Sequence, residues 1–318
     1  FAVVLLLLVG VVFVAAPAGL LAKLTPESLN ITFWITVIFA YYFLATILPI
    51  DKIIGRFYPL FGAVLIIMAV GMTVGMFASG NEFYSWLEWR NPHPAGLPVY
   101  PLVFITIACG ALSGFHATQS PIMSRCLANE RQGRAVFYGG MVAEGLIGLV
   151  WATVGMTFYQ SPELLNAALK AGGPGNVVTE SSLALMGPFG GVLAILGVVA
   201  LPVTSGDTAF RAARLTIAEV FNFPQRSVTA RLSIALPIFI IGIILANVDF
   251  NIIWRYFGFA NQMLAAIVLW AAAAYLYRKH RLHWICTAPA AFMTSVCVSY
   301  ICFEPNMGFG MAIGTADT

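Results

Sequence analysis

The sequence predicts an all-α, polytopic membrane protein with about nine transmembrane helices. Three observations predict it. Hydrophobic residues make up 60% of the 318-residue chain and charged residues only 9%, against about 25% charged in a soluble domain. Apolar runs able to cross, or nearly cross, about 30 Å of hydrocarbon recur along the whole length. Lysine and arginine collect in alternate connecting segments, as a chain threading back and forth through a bilayer requires.

The first run is Phe1–Ala16. No basic segment precedes it and no small-residue cleavage site follows at the right distance, so it reads as a membrane helix and not as a signal peptide. The chain opens directly inside this run with Phe1. The expectation is a piece of a longer protein whose N-terminal helices are missing. Ile31–Ile50 and Leu60–Ala78 follow as two uninterrupted apolar runs. Tyr100–Gln119 begins apolar and turns polar, and Val136–Phe158 carries a single carboxylate, Glu144. Residues Tyr159–Ser181 contain "KAGGPGN" and read as a flexible loop. Ser182–Val203 is apolar to its end. Leu232–Ala246 is short, with Pro237 placed to bend it. Phe259–Tyr277 admits Asn261 and Gln262, and Trp284–Phe303 completes the set.

Basic residues orient these spans. If Phe1–Ala16 runs outward from the cytoplasm, the inner loops hold twelve lysines and arginines: Lys52, Arg56, Arg125, Arg131, Arg134, Arg211, Arg214, Arg226, Arg231, Arg278, Lys279 and Arg281. The outer loops hold four: Lys23, Arg90, Lys170 and Arg255. The positive-inside rule therefore puts the N-terminal end in the cytoplasm. Trp34, Trp86, Trp89, Tyr100, Tyr159 and Trp284 fall near the expected interfaces, where amphipathic rings settle. Gly71-x-x-x-Gly75, Gly110-x-x-x-Gly114 and Gly310-x-x-x-Gly314 have the spacing of close helix contacts.

The same composition excludes other classes. A net charge of +3, spread over short loops, is no footprint for nucleic acid. Cys109, Cys126, Cys286, Cys297 and Cys302 form no C-x-x-C, and read as buried inert thiols without a disulfide or metal framework. No metalloprotease, hydrolase or P-loop motif occurs, so the chain is expected to be no enzyme and to hold no metal or cofactor.

Four stretches carry candidate chemistry. In "GFHATQSPIMSR", Gly114–Arg125, polar groups and a proline arrive where an apolar helix should continue. One reading is a break within the membrane, with Ser120 capping and Pro121 starting a second half-helix. Such a break survives only where protein or a water-filled cavity satisfies the backbone, and its helix N-terminus suits a carboxylate. The other reading is a helix that ends at the cytoplasmic surface. Glu144 lies about 12 Å into its helix at 1.5 Å per residue. It fits either a proton carrier or a structural carboxylate bonded to a neighbouring helix. It flanks the same cytoplasmic turn as His116, so the two could meet. In "LPVTSGDTAFRAAR", Leu201–Arg214, Pro202 to Gly206 read as a second break, with Thr204, Ser205 and Asp207 as a cation or proton site. The alternative is a capped amphipathic helix with Asp207 and Arg211 paired four apart. Asn261 and Gln262 read best as amide bridges between helices.

The run "ITIACGALSGFHATQSPIMSRCLANERQGRAVFYGGMVAEG", Ile105–Gly145, resembles the carbon starvation protein A family of bacterial inner-membrane transporters. "YYFLATILPIDKIIGRFYPLFG", "VTSGDTAFRAARLTIAE" and "WRYFGFANQMLAAIVLW" resemble it in the same order. The resemblance implies the amino acid–polyamine–organocation superfamily and its inverted-repeat, LeuT-like fold of five-helix repeats. It implies proton-driven uptake of peptides or pyruvate when carbon is scarce. Two helices of that fold are broken at the midplane, and Gly114–Pro121 suits the second; the first would lie in the missing N-terminal part. The residues themselves then suggest substrate contacts from Ser113, Gly114, His116, Thr118, Gln119 and Ser120, and proton coupling through Glu144 or His116. The rival expectation is a membrane nutrient sensor or scaffold that moves nothing.

Overall fold

The computed structural model describes residues 1–47, 58–82, 91, 93–94, 96–107, 110 and 112–311. Lys52, Arg56, Trp86, Trp89, Arg90, Cys109 and Gly314 lie outside them. The elements are α1 (Ala2–Leu24), α2 (Ile31–Ile47), α3 (Tyr58–Ala78), α4 (Leu102–Ile107) and α5 (Gly114–Cys126), then α6 (Gly140–Thr157), α7 (Pro162–Val220), α8 (Val228–Ala246), α9 (Phe250–Arg278) and α10 (Trp284–Phe303). A 3₁₀ turn, Glu130–Gln132, and a π-helical turn, Arg134–Gly139, lead into α6. Among the described residues there is no strand.

Seven helices among the described residues are long and apolar enough to cross a membrane. The expected count of about nine differs at two places. α2 is a shorter apolar helix, and the run Tyr100–Gln119 is divided between α4 and α5.

The chain forms two compact units. One comprises Phe1–Leu8, Gly96–Gly145 and Asn251–Thr318; the other comprises Val9–Ala95 and Leu146–Phe250.

In the second unit, α3 buries Met68, Met72 and Met76 against Val154 and Ala194. Their spacing of four puts them on one helical face. Ile66, Val70, Val74 and Phe77 are exposed, an apolar face suited to lipid. Gly71 and Gly75 admit α7 closely: a Cβ on Gly75 would sit 2.9 Å from Leu185 Cβ, and one on Gly71 3.2 Å from Met186 Sδ. That glycine pair is the close contact its spacing predicts. A second core gathers around Phe210, which stacks on Phe239 at 4.7 Å and leans on Tyr42 at 5.7 Å.

α7 departs from expectation twice. Residues 162–171 and 174–186 are helical, so the expected flexible loop is instead two helical segments meeting at Gly172–Gly173. Lys23 Nζ donates to Gly172 O at 2.8 Å, and Glu180 accepts from Tyr159 Oη at 2.6 Å and from Asn176 Nδ2 at 2.8 Å. These contacts hold the elbow. Gly187, at φ 70°, makes a second break in a region that essentially only glycine occupies.

The break expected at Pro202–Gly206 is absent, because 188–220 remains helical through Pro202. Gly206 is a notch for a ring, and a Cβ there would lie 2.6 Å from Tyr42 Cζ. Tyr42 Oη is 3.0 Å from Phe13 O and 3.2 Å from Pro202 O. Thr204 Oγ1 donates to Leu201 O at 2.9 Å and Thr208 Oγ1 to Thr204 O at 3.1 Å. Pro202 withholds an amide from Val198 O, whereas these hydroxyls hold Leu201 O and Thr204 O.

In the first unit, α4 packs on α10. Ile105 joins Met293, Val296, Cys297 and Tyr300 in a core, and Phe104 meets Phe292 edge-on at 5.0 Å. Tyr100 Oη donates to Ser295 Oγ at 3.0 Å. Cys297 is buried as expected, whereas Cys126 is exposed, because α5 ends there with its last turn uncovered.

Candidate functional site

The polar break exists, but it precedes its expected position. α4 stops at Ile107 and α5 starts at Gly114, with Ser113 extended at φ −124° and ψ 128°. α5 then runs unbroken through Pro121 to Cys126. Ser120 is therefore no N-cap. Its Oγ donates back to His116 O at 2.9 Å, and Ser124 Oγ donates to Pro121 O at 2.9 Å. Proline eight residues into a helix removes one backbone bond; here the flanking hydroxyls hold neighbouring carbonyls.

A residue from α9 supplies the cap instead. Asn261 Oδ1 accepts from Phe115 N at 2.9 Å and from Ser113 Oγ at 3.1 Å. Gly114 makes room for this. A Cβ there would sit 2.8 Å from Leu264 Cβ and 3.2 Å from Ala265 N. The neighbouring amide, Gln262 Nε2, donates to Ile105 O at 3.3 Å. One Asn-Gln pair therefore holds both lips of the break: Gln262 the end of α4, Asn261 the start of α5. The amide-bridge reading of these two residues is what the structure has.

The first residues of α5 divide into two groups. Ser113 and Gly114 are buried against α9, and they support the break. His116 and Gln119 keep polar atoms in reserve: His116 Nδ1 and Gln119 Oε1 are buried without a hydrogen-bond partner among the described residues. Thr118 Oγ1 donates to Phe115 O at 2.6 Å and receives Gln119 Nε2 at 3.1 Å.

His116 also meets Glu144. Its Nε2 lies 2.9 Å from Glu144 Oε2, with the two side chains 34% and 42% exposed. Glu144 stands one turn into α6, just beyond the π-helical turn Arg134–Gly139. π-helical turns are rare; this one forms the entry to α6. The contact supports one shared proton, carried either by the imidazole Nε2 or by the carboxyl. Protonating both gives imidazolium beside a neutral acid, and protonating neither removes the donor.

The second candidate group is arranged differently. Asp207 is buried and pairs with Arg211 Nη2 at 3.3 Å, one turn along α7. The same Nη2 donates to Ala45 O at 3.4 Å. Thr204 spends its hydroxyl on its own helix, and Ser205 is half-buried on the same turn. This is a buried helix ion pair, as the spacing of four allows, and not a second opening.

Sequence reasoning missed one ion pair. Arg255 Nη1 meets Glu304 Oε1 at 3.3 Å. α9 begins at Phe250, nine residues before the expected Phe259, so Arg255 is helical and not in a loop. Buried Ile253, Phe257, Ala260 and Leu264 carry the helical period that would have found this extension.

The family model described as "Carbon starvation protein CstA" matches residues 1–169 and 167–300. The chain belongs to the CstA family. An "Uncharacterized membrane protein" of Haemophilus influenzae is 43% identical over 222 residues, covering 54% of this chain and 60% of that protein. The "Peptide transporter CstA" of Campylobacter jejuni is 26% identical over 328 residues, covering 81% of this chain and 46% of that protein. The "Pyruvate/proton symporter BtsT" of Escherichia coli is 32% identical over 133 residues, covering 40% of this chain and 18% of that protein. The chain thus spans about half the length, or less, of the CstA-family transporters it matches. No solved structure matches it. Its apolar helices and its family make it a multi-pass membrane protein.

Proposed function

We propose that this chain forms part of a secondary transporter of the bacterial cytoplasmic membrane. It takes up peptides or pyruvate with protons, and its N-terminal end faces the cytoplasm. Relatives named as peptide transporters and as a pyruvate/proton symporter support the solute and the coupling ion. The observation that carries the reading is the 2.9 Å contact between His116 and Glu144 beside a broken helix. Ionisable groups within membrane spans commonly form proton relays, and discontinuous helices commonly line solute sites.

In this reading Ser113 and Gly114 build the break, and His116, Thr118, Gln119 and Ser120 lie along the solute path. Proton exchange at the His116–Glu144 pair changes the charge along that path between inward and outward steps. Thr204, Ser205 and Asp207 act as structure and not as a second ion site. The α4–α5 break is the second discontinuous helix of an inverted-repeat fold, with further helices of the same protein completing the site.

The test is uptake of labelled dialanine and labelled pyruvate by the full-length protein in liposomes under an imposed inward proton gradient. We expect gradient-dependent uptake of one solute. Glu144→Gln abolishes that dependence while the protein still melts cooperatively. Uptake that ignores the gradient, or that Glu144→Gln leaves intact, overturns the coupling role. Absence of any flux returns the chain to a sensor or scaffold.

A further inference from the structure

A cavity of about 200 Å³ lies within the unit that holds the break, between α4, α9 and the end of α10. Ile105, Trp254, Phe257 and Tyr300 give it apolar and aromatic walls. One buried water needs only about 10–15 Å³, so the space is of solute size. Gln262 lines it and is fully buried. The Nε2 of Gln262 is spent on Ile105 O, but its Oε1 has no hydrogen-bond partner among the described residues. A buried acceptor left unmatched carries a desolvation cost that an entering donor removes.

The rim is charged. Arg255 and Glu304 line the cavity and pair at 3.3 Å. Asn306 Nδ2 donates to the same Glu304 oxygen at 3.0 Å, so that oxygen is well supplied. Arg255 spends Nη1 there, and a guanidinium carries five N–H donors in a fork suited to carboxylates. Arg255 and Gln262 are seven apart on α9, which puts them on one face about 10.5 Å apart along the axis.

We propose that this cavity binds a small zwitterion of dipeptide size, with its carboxylate on Arg255 and its N–H group on Gln262 Oε1. Two extended residues span about 7 Å, within the roughly 10.5 Å that separates the two positions along the axis. The chemistry decides against pyruvate, whose carbonyl and carboxylate oxygens offer no donor to Oε1. Aromatic walls add attraction for an ammonium group. The basic-loop asymmetry puts the Arg255–Glu304 end outside, where an arriving solute meets it first. The floor is the amide pair that holds the break, so occupancy here presses on the same joint that the His116–Glu144 contact adjoins.

The inference deepens the transporter reading and rests on it only for the side of approach. Its test is equilibrium binding of labelled dialanine to the full-length protein in detergent, without a proton gradient. Saturable binding is expected, with pyruvate failing to compete at equal concentration and N-acetylated dialanine competing at least tenfold less well. Arg255→Gln and Gln262→Leu should each weaken binding at least tenfold. Gln262→Leu also releases Ile105 O; if it does not fold, Arg255→Gln at the rim decides. Binding that Arg255→Gln leaves within twofold, equal competition by pyruvate, or no saturable binding overturns the site. Binding without uptake overturns the transporter reading alone. Uptake together with unaltered Arg255→Gln binding overturns this site alone.

Discussion

Asn261 Oδ1 on α9 accepts from Phe115 N at 2.9 Å and so caps α5 from another helix. That amide, one of the three at the start of the half-helix without an intrahelical acceptor, is filled by protein. An anionic solute cannot have that amide without displacing Asn261. The polar atoms left for chemistry lie on the next residues, at His116 and Gln119.

Replacing Asn261 by leucine should cost about 1–3 kcal/mol, since Phe115 N and Ser113 Oγ would stay buried without their acceptor. Thermal unfolding in detergent, followed by tryptophan fluorescence, checks it. An unchanged midpoint would mean that water or another group serves the break.

Gly114→Ala should destabilise by a similar margin, about 1–3 kcal/mol, through overpacking. The new methyl would sit 2.8 Å from Leu264 Cβ. Combined with Leu264→Ala, part of the loss should return, because the two sites share one contact.

His116→Gln and Glu144→Gln should each cut gradient-driven uptake at least tenfold, about 1.4 kcal/mol of activation free energy. The double variant should be no worse than the weaker single, as for groups acting as one unit. Initial uptake rates across the four proteins measure this. Additive losses would separate the two roles.

Asp207→Ala should lower stability by up to about 3 kcal/mol, because it leaves a largely buried Arg211 without its carboxylate. The figure sits at the low end for a broken buried pair since Arg211 keeps 25% of its side chain exposed. Adding Arg211→Met should recover stability. If Asp207→Ala instead abolishes uptake with an unchanged melting midpoint, Asp207 is an ion site after all.

Tyr42→Phe should cost about 1 kcal/mol, the worth of one net hydrogen bond, and Gly206→Val considerably more. The hydroxyl is shared between two carbonyls, whereas the ring fills the notch that Gly206 leaves. Melting midpoints of the two variants rank them.

The membrane-spanning character of the chain, its helical class, most element positions and the presence of a polar break were legible in residue order. Each depends on local composition: apolar runs, loop charge, and glycine with serine in place of leucine. The Gly71–Gly75 contact and the bridging role of Asn261 and Gln262 followed from spacing and polarity in the same way. The break's exact place did not. Ser120-Pro121 carries the stronger helix-start signal, yet α5 starts at Ser113–Gly114, because Asn261 lies 148 residues away in sequence and brings its acceptor there. Likewise Pro202 to Gly206 has the composition of a break, but Tyr42 occupies the Gly206 notch and the helix continues.

Residue order settled which solvent this chain needs, since a surface with so many apolar side chains and so few charges is favourable only in lipid. Which polar atoms face each other was settled by packing. The meeting of His116 with Glu144, the capping of α5 by Asn261 and the pairing of Arg255 with Glu304 are contacts between separate helices. Local propensity extends only a turn or two, whereas such contacts depend on where whole helices come to rest.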